Sequence, residues 1–139
     1  MATTFASPNA AQMVPVQKIA RFIATGEDAC LTAFAQRDVV ILENFGPYLF
    51  AGPNAVASWA QGMRAHTSTL SGLRHRFGQA QDFSDDGQVA FFSLPTHWSG
   101  ISNGQPFQED GGWSFVIIRQ GDAWKVRNYG WAVTRMTAE

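Results

Sequence analysis

The sequence predicts an α+β domain in which three helices pack on one face of a strongly curved, mostly antiparallel sheet. Two observations predict it. Up to about Gly72 apolar residues recur at helical spacing, whereas from Leu73 onward they fall in runs separated by turn signals. The last third then carries two long apolar runs, Gly112 to Arg119 and Ala123 to Val133, flanking Gly121 and Asp122 as the strands of a hairpin flank its turn.

Residues 1–13 have neither a basic start nor an apolar core, so they read as a flexible leader rather than a signal peptide, with a single domain over 14–139. Val16, Ile19, Ala20 and Ile23 form a helical stripe behind Pro15, a residue suited to a first helical position, and Thr25-Gly26 supplies a stop. Leu31, Phe34 and Ala35 repeat the period after Glu27 and Asp28, whose carboxylates favour a helix N-terminus. Val39 to Phe45 reads as a strand ended by Gly46-Pro47. Gly52-Pro53 opens a third helix with Val56, Trp59, Ala60 and Met63 on one face. Four strands in meander follow, with turns at Ser84 to Gly87, Ser102 to Gly104 and Gln120 to Asp122.

At 139 residues, 45% hydrophobic and 13% aromatic, the chain can bury a real core. Charged residues are only 15%, too few to coat the surface, which favours a homo-oligomer. A net charge of −1 with scattered basic residues gives no footprint for nucleic acid or an acidic membrane, and no run approaches a transmembrane span. The single cysteine, Cys30, excludes an internal disulfide and reads as a small buried hydrophobe. Three dispersed histidines have no metal-ligand spacing, no cofactor is implied, and the expected compartment is the cytoplasm.

Two-residue turns fix cross-strand neighbours. A turn at Asn103-Gly104 sets Trp98 opposite Glu109 and His97 opposite Asp110. One at Asp86-Gly87 pairs His75 with Trp98 and Arg76 with His97, and one at Gly121-Asp122 pairs Trp113 with Gly130 and Phe115 with Asn128. A bulge at Gly111-Gly112 would exchange Asp110 for Glu109. Without it, one face carries mostly aromatics with the polar residues His75, Gln79, Thr96, Glu109 and Asn128, a composition suited to a pocket for a small apolar or carbonyl-containing molecule. Its expected walls are Phe22, Phe45, Trp59, Met63, Phe77, Thr96, Trp98, Trp113, Phe115 and Asn128. His75 and Glu109, on one row, form either a general acid/base pair or a satisfied polar pair at the mouth. The opposite face, with Phe91, Val116, Ile118, Tyr129 and Trp131 beside the row Arg76, His97 and Asp110, suits the interface of a homodimer.

The order of elements, with the stretches Phe34 to Gly46 and Gly112 to Val133, resembles the NTF2-like cone shared by ketosteroid isomerase-like and SnoaL-like proteins. The resemblance spans roughly Val16 to Val133. It implies a carboxylate general base at the end of the first strand, where Glu43 stands, and a ligand held inside the cone. The tyrosine that ketosteroid isomerases place on the first helix corresponds to Phe22, and their second acid falls near Trp113 or Ser114, so their oxyanion hole has no counterpart. Two functions follow: an isomerase-, cyclase- or dehydratase-type enzyme moving a proton with Glu43 or with His75 and Glu109, or a non-catalytic binding or assembly module.

Overall fold

The computed structural model describes residues 6–138. Its elements in chain order are α1 (Ala10–Thr25), a 3-10 turn (Asp28–Ala33), β1 (Val40–Leu42), β2 (Leu49–Phe50), α2 (Ala55–His66), β3 (Leu70–Phe77), β4 (Gln81–Asp85), β5 (Val89–Ser102), β6 (Gln105–Gln120) and β7 (Ala123–Ala138). The sheet runs β2-β1-β7-β6-β5-β3, with β4 also paired to β5, and every pairing is antiparallel except that of β1 with β7. The α+β cone is therefore present, with two α-helices and a 3-10 turn in place of three helices.

The first helix begins earlier than Pro15. Asn9 caps it through a reciprocal box with Gln12, so 10–13, expected in the leader, are helical; 1–5 of that leader lie outside the described residues. Pro15 is inside the helix, where its missing N–H leaves only the exposed Ala11 carbonyl without an intrahelical donor. Gly26 closes the helix in the left-handed conformation, φ 72°. The segment after Asp28 tightens into a 3-10 turn that ends at the extended Phe34, whose backbone bridges Val126 of β7.

Register decides which side chains face inward. Asn103 and Gly104 both have positive φ, 51° and 80°, as a type I′ turn requires, and β5 pairs with β6 without interruption from Ser102↔Gln105 to Val89↔Ile118. Trp98 faces Glu109 and His97 faces Asp110 as expected, and β6 has no bulge against β5 at Gly111-Gly112. His75↔Trp98 and Arg76↔His97 also hold, although the hairpin before β5 pairs Asp85 with Ala90, a wider turn than two residues. Slips along β4 and the break between β4 and β3 compensate.

The β6/β7 pair departs from a simple hairpin. Its register holds from Gln120↔Ala123 to Ile117↔Val126, then Arg127 bulges out and Val116 pairs with Asn128; a second bulge at Thr134 follows. One extra residue exchanges the faces of everything beyond it. Asn128, expected inside opposite Phe115, lies opposite the outer-face Val116 and donates to the Val40 carbonyl at 3.4 Å. Tyr129 and Trp131, expected outside, turn inward opposite Phe115 and Trp113.

Val16, Ile19, Ala20 and Phe22 of α1, with Trp59, Ala60 and Met63 of α2, bury against Phe92, Leu94, Trp113, Phe115 and Ile117 of the sheet. Fully burying each large apolar side chain stabilises by about 1.5–3 kcal/mol. Arg64 ties α2 to the end of α1, donating to the Gly26 carbonyl at 2.9 Å, pairing with Asp28 and lying 5.0 Å from the centroid of Phe22. That clasp holds the C-terminal end of α2 over the open end of the sheet.

Candidate active site

In the strand that leads into the site, side chains alternate: Val39, Ile41 and Glu43 point inward and are buried, while Leu42 is exposed. Glu43 lies one residue past β1, its backbone N–H bonded to the Tyr48 carbonyl at 2.9 Å. Glu43 is 7% exposed, and its carboxyl receives two donors on one oxygen. Trp59 Nε1 on α2 donates to Oε2 at 2.9 Å, and the Tyr129 hydroxyl on β7 donates to the same atom. No side-chain donor among the described residues reaches Oε1.

Burial pushes the Glu43 carboxyl up to about 7, its two side-chain hydrogen bonds and the Asn44 backbone opposing the shift and the charge of Glu109 adding to it. Tyr129 is raised well above its ordinary value, by burial first and by Glu43 next, so it stays a neutral donor. Trp59, Phe34, Trp113 and Phe115 surround the Tyr129 ring at centroid distances of 5.5 to 6.5 Å.

Glu43 forms part of the wall of a cavity of about 390 Å3 between the ends of α1 and α2 and the far half of the sheet. The helices contribute Ile23, Met63, His66 and Thr67; β3 contributes Leu70 and Leu73. The long strands give Trp98, Phe107, Glu109, Trp113, Trp131 and Met136. Its ionisable lining is Glu43, Glu109 and His66, with no lysine or arginine. Glu109 is half-buried and desolvation raises its carboxyl above the usual range. His66 stacks on Phe45 at 4.7 Å and partial burial lowers its imidazole.

Of the residues expected to form the site, Glu43, Glu109, Met63, Trp98 and Trp113 line this cavity. Phe22, Trp59 and Phe115 are buried in the core behind it, and Thr96 donates to its neighbour Leu94 at 2.9 Å. Phe45 and Phe77 are half-buried outside the lining. His75 does not join Glu109. They occupy the first and third positions of a row whose middle member is Trp98, so two strand spacings, roughly 10 Å, separate their backbones. His75 is exposed, tilted against Phe77 and Trp98, and partial burial lowers its imidazole. On the outer face His97 Nδ1 and Asp110 Oδ1 lie 2.7 Å apart, while Arg76 of the same row joins no salt bridge among the described residues.

Tyr129 and Trp131 are the site residues that sequence reasoning placed on the wrong side. Gly111 seats Trp131: a Cβ at that position would run into the Trp131 ring and lie 2.6 Å from the Ala132 carbonyl oxygen.

No protein-family model matches the sequence, and no curated protein matches it. Solved structures do match its backbone. Hexachlorocyclohexane dehydrochlorinase LinA-type3 from Novosphingobium barchaimii LL02 is 10% identical with a TM-score of 0.77, over 94% of this chain and 88% of that one. A protein proposed to be a ketosteroid isomerase, from Shewanella frigidimarina NCIMB 400, is 20% identical with a TM-score of 0.69, over 89% and 96%. A protein proposed to be a scytalone dehydratase, from Novosphingobium aromaticivorans DSM 12444, is 10% identical with a TM-score of 0.74, over 93% and 85%. The fold is the NTF2-like cone.

Proposed function

We propose that the cavity binds a small, largely apolar, uncharged molecule carrying a carbonyl group, and that Glu43 acts on it as a general base in an isomerase-, dehydratase- or cyclase-type reaction. The observation that carries this reading is the Glu43 carboxyl itself: buried, fixed through one oxygen by Trp59 and Tyr129, and part of the wall of an apolar cavity. A base that titrates near the working pH is both available and strong enough to take a proton from carbon. The carboxylate removes a proton next to the carbonyl, the C–H electron pair enters the carbonyl as an enolate, and the protonated Glu43 returns the proton to the same or a conjugated carbon.

The cavity's charge disfavours an anionic ligand. Two carboxyls and no cationic side chain line it, so an anion would meet repulsion without a counter-charge. The names of the structural neighbours point the same way, since dehydrochlorination, dehydration and ketosteroid isomerisation each remove a proton from carbon. Glu109 is the second ionisable group proposed to touch the ligand. His75, exposed and outside the lining, has no part in this reading.

Deuterium incorporation into small ketones, followed by NMR, tests it. Wild type exchanges the protons next to the carbonyl, whereas Glu43→Gln, which keeps the shape and an acceptor for Trp59 and Tyr129, binds ketone with nearly unchanged affinity and loses exchange. Exchange surviving in Glu43→Gln places the base elsewhere. No exchange by wild type across the panel leaves a binding module.

A homodimer through the outer sheet face is part of the proposal. Its apolar centre is Val89, Phe91, Val116 and Ile118, a smaller patch than expected because Tyr129 and Trp131 turn inward. Val116→Asp would then give monomer by light scattering. No helix among the described residues is long and apolar enough to cross a membrane, and Cys30 is free and buried, which fits the proposed cytoplasmic location.

A further inference from the structure

Two buried side-chain polar atoms among the described residues have no hydrogen-bond partner: Gln120 Oε1, beside the last hairpin turn, and Trp113 Nε1. Trp113 belongs to the cavity wall and is 1% exposed. An indole nitrogen only donates, and a donor held away from water without an acceptor destabilises the fold by about as much as the hydrogen bond it lacks. The contrast with Trp59 is direct, because that indole N–H is spent on Glu43.

The surroundings of Trp113 offer nothing better. Its close neighbours are rings: Phe115 at 4.9 Å, Tyr129 at 5.5 Å, Trp131 at 5.8 Å and Trp98 at 6.5 Å between centroids. The hydroxyl oxygen of Tyr129 could accept, but it lies out of hydrogen-bond reach of the Trp113 nitrogen. Trp113 lines the cavity, so a ligand there is a source of the acceptor that the fold itself lacks.

We propose that the Trp113 indole N–H is the hydrogen-bond donor for the ligand's oxygen, so that the site recognises a molecule with an acceptor oxygen and not merely an apolar one. This deepens the general-base reading and rests on the same cavity. Tyr129 packs against Trp113 at an interplanar angle of 82° while its hydroxyl holds Glu43, so one tyrosine contacts both base and donor. When Glu43 takes the proton, the electron pair moves onto the carbonyl oxygen, and the indole N–H meets the charge that develops there. Trp113 is then a catalytic residue that transfers no proton.

Proton–nitrogen NMR of the five tryptophan indoles tests this with β-tetralone and its hydrocarbon counterpart tetralin as probes. Trp113→Phe, which keeps an aromatic ring and removes the N–H, assigns the Trp113 signal. In the wild-type protein β-tetralone moves that signal downfield and tetralin does not; in Trp113→Phe the affinity for β-tetralone falls about tenfold while that for tetralin changes far less. Should Trp113→Phe fail to fold, the remaining tryptophans are replaced singly to assign the signal by elimination, and the wild-type titration decides. A Trp113 signal that does not respond to saturating β-tetralone, an equal response to both probes, or no binding of β-tetralone at millimolar concentration overturns the proposal; an unresponsive upfield signal identifies an N–H resting on a neighbouring ring. Binding is read independently of chemistry, so a downfield shift without proton exchange removes the base and leaves the donor, and exchange without the shift does the reverse.

Discussion

The Tyr129 hydroxyl donates to Glu43 Oε2 from the neighbouring strand of the parallel β1/β7 pair, and it reaches that atom because Arg127, two residues earlier, bulges out of β7. The bulge thus converts an outer-face tyrosine into the support of the cavity's buried carboxyl. Both donors to Glu43 favour its ionised form, so they hold its pKa below the level burial alone would set.

Removing one of them has a defined sign. In Tyr129→Phe the Glu43 midpoint rises above 7, by roughly one to two units if a charge-assisted hydrogen bond contributes about 1.5–3 kcal/mol. Trp59→Phe shifts it in the same direction. Carboxyl-carbon NMR of Glu43 in each variant reads the midpoint, and an unmoved or lowered value contradicts the network.

Folding stability carries the same carboxyl's signature. Glu43 holds its proton to about 7 in the folded state, against an ordinary value of 4.5. Its contribution is fully present below about 4.5, declines as the unfolded chain ionises first, and is lost as pH rises through 7. The loss is on the order of 3 kcal/mol. Urea unfolding at pH 5 and pH 8 therefore shows a wild-type decline that Glu43→Gln largely lacks, apart from a smaller decline in the same direction from Glu109 and an opposing rise from His66 and His75, both present in the two proteins. Parallel pH dependences for the two proteins contradict a buried, poorly solvated Glu43.

Gly111 leaves room for the Trp131 indole on the cavity wall. Gly111→Ala forces that ring or the adjoining backbone to move, an overpacking that costs about 1–3 kcal/mol. Thermal melting and fluorescence titration with β-tetralone then show a lower melting temperature together with weaker binding. Unchanged values for both place Trp131 elsewhere.

Much of this was legible in the sequence, for local reasons. Asn103-Gly104 specifies a type I′ turn, and that turn alone set Trp98, Glu109, His97 and Asp110 on their faces. Glu43 was singled out by its place at the end of the first strand, while the direction of its side chain became visible only with the buried alternation of Val39, Ile41 and Glu43. Bulges were the illegible part. Gly111-Gly112 has the composition of one and is regular against β5, whereas the actual bulges lie in β7 at Arg127 and Thr134, residues with no left-handed preference and no turn signal. Tyr129, Trp131 and Asn128 changed faces for that reason. The start of α1 was missed differently: Asn9 and Gln12 spell a capping pair, but Pro15 offered a competing start.

The pH dependence of ketone proton exchange tests the general-base role of Glu43 most directly. If Glu43 is the base, the wild-type rate rises with pH and levels off with a midpoint near 7, Tyr129→Phe moves that midpoint upward, and Glu43→Gln shows no such inflection. A wild-type rate independent of pH between 5 and 9, or an inflection that survives in Glu43→Gln, contradicts the account.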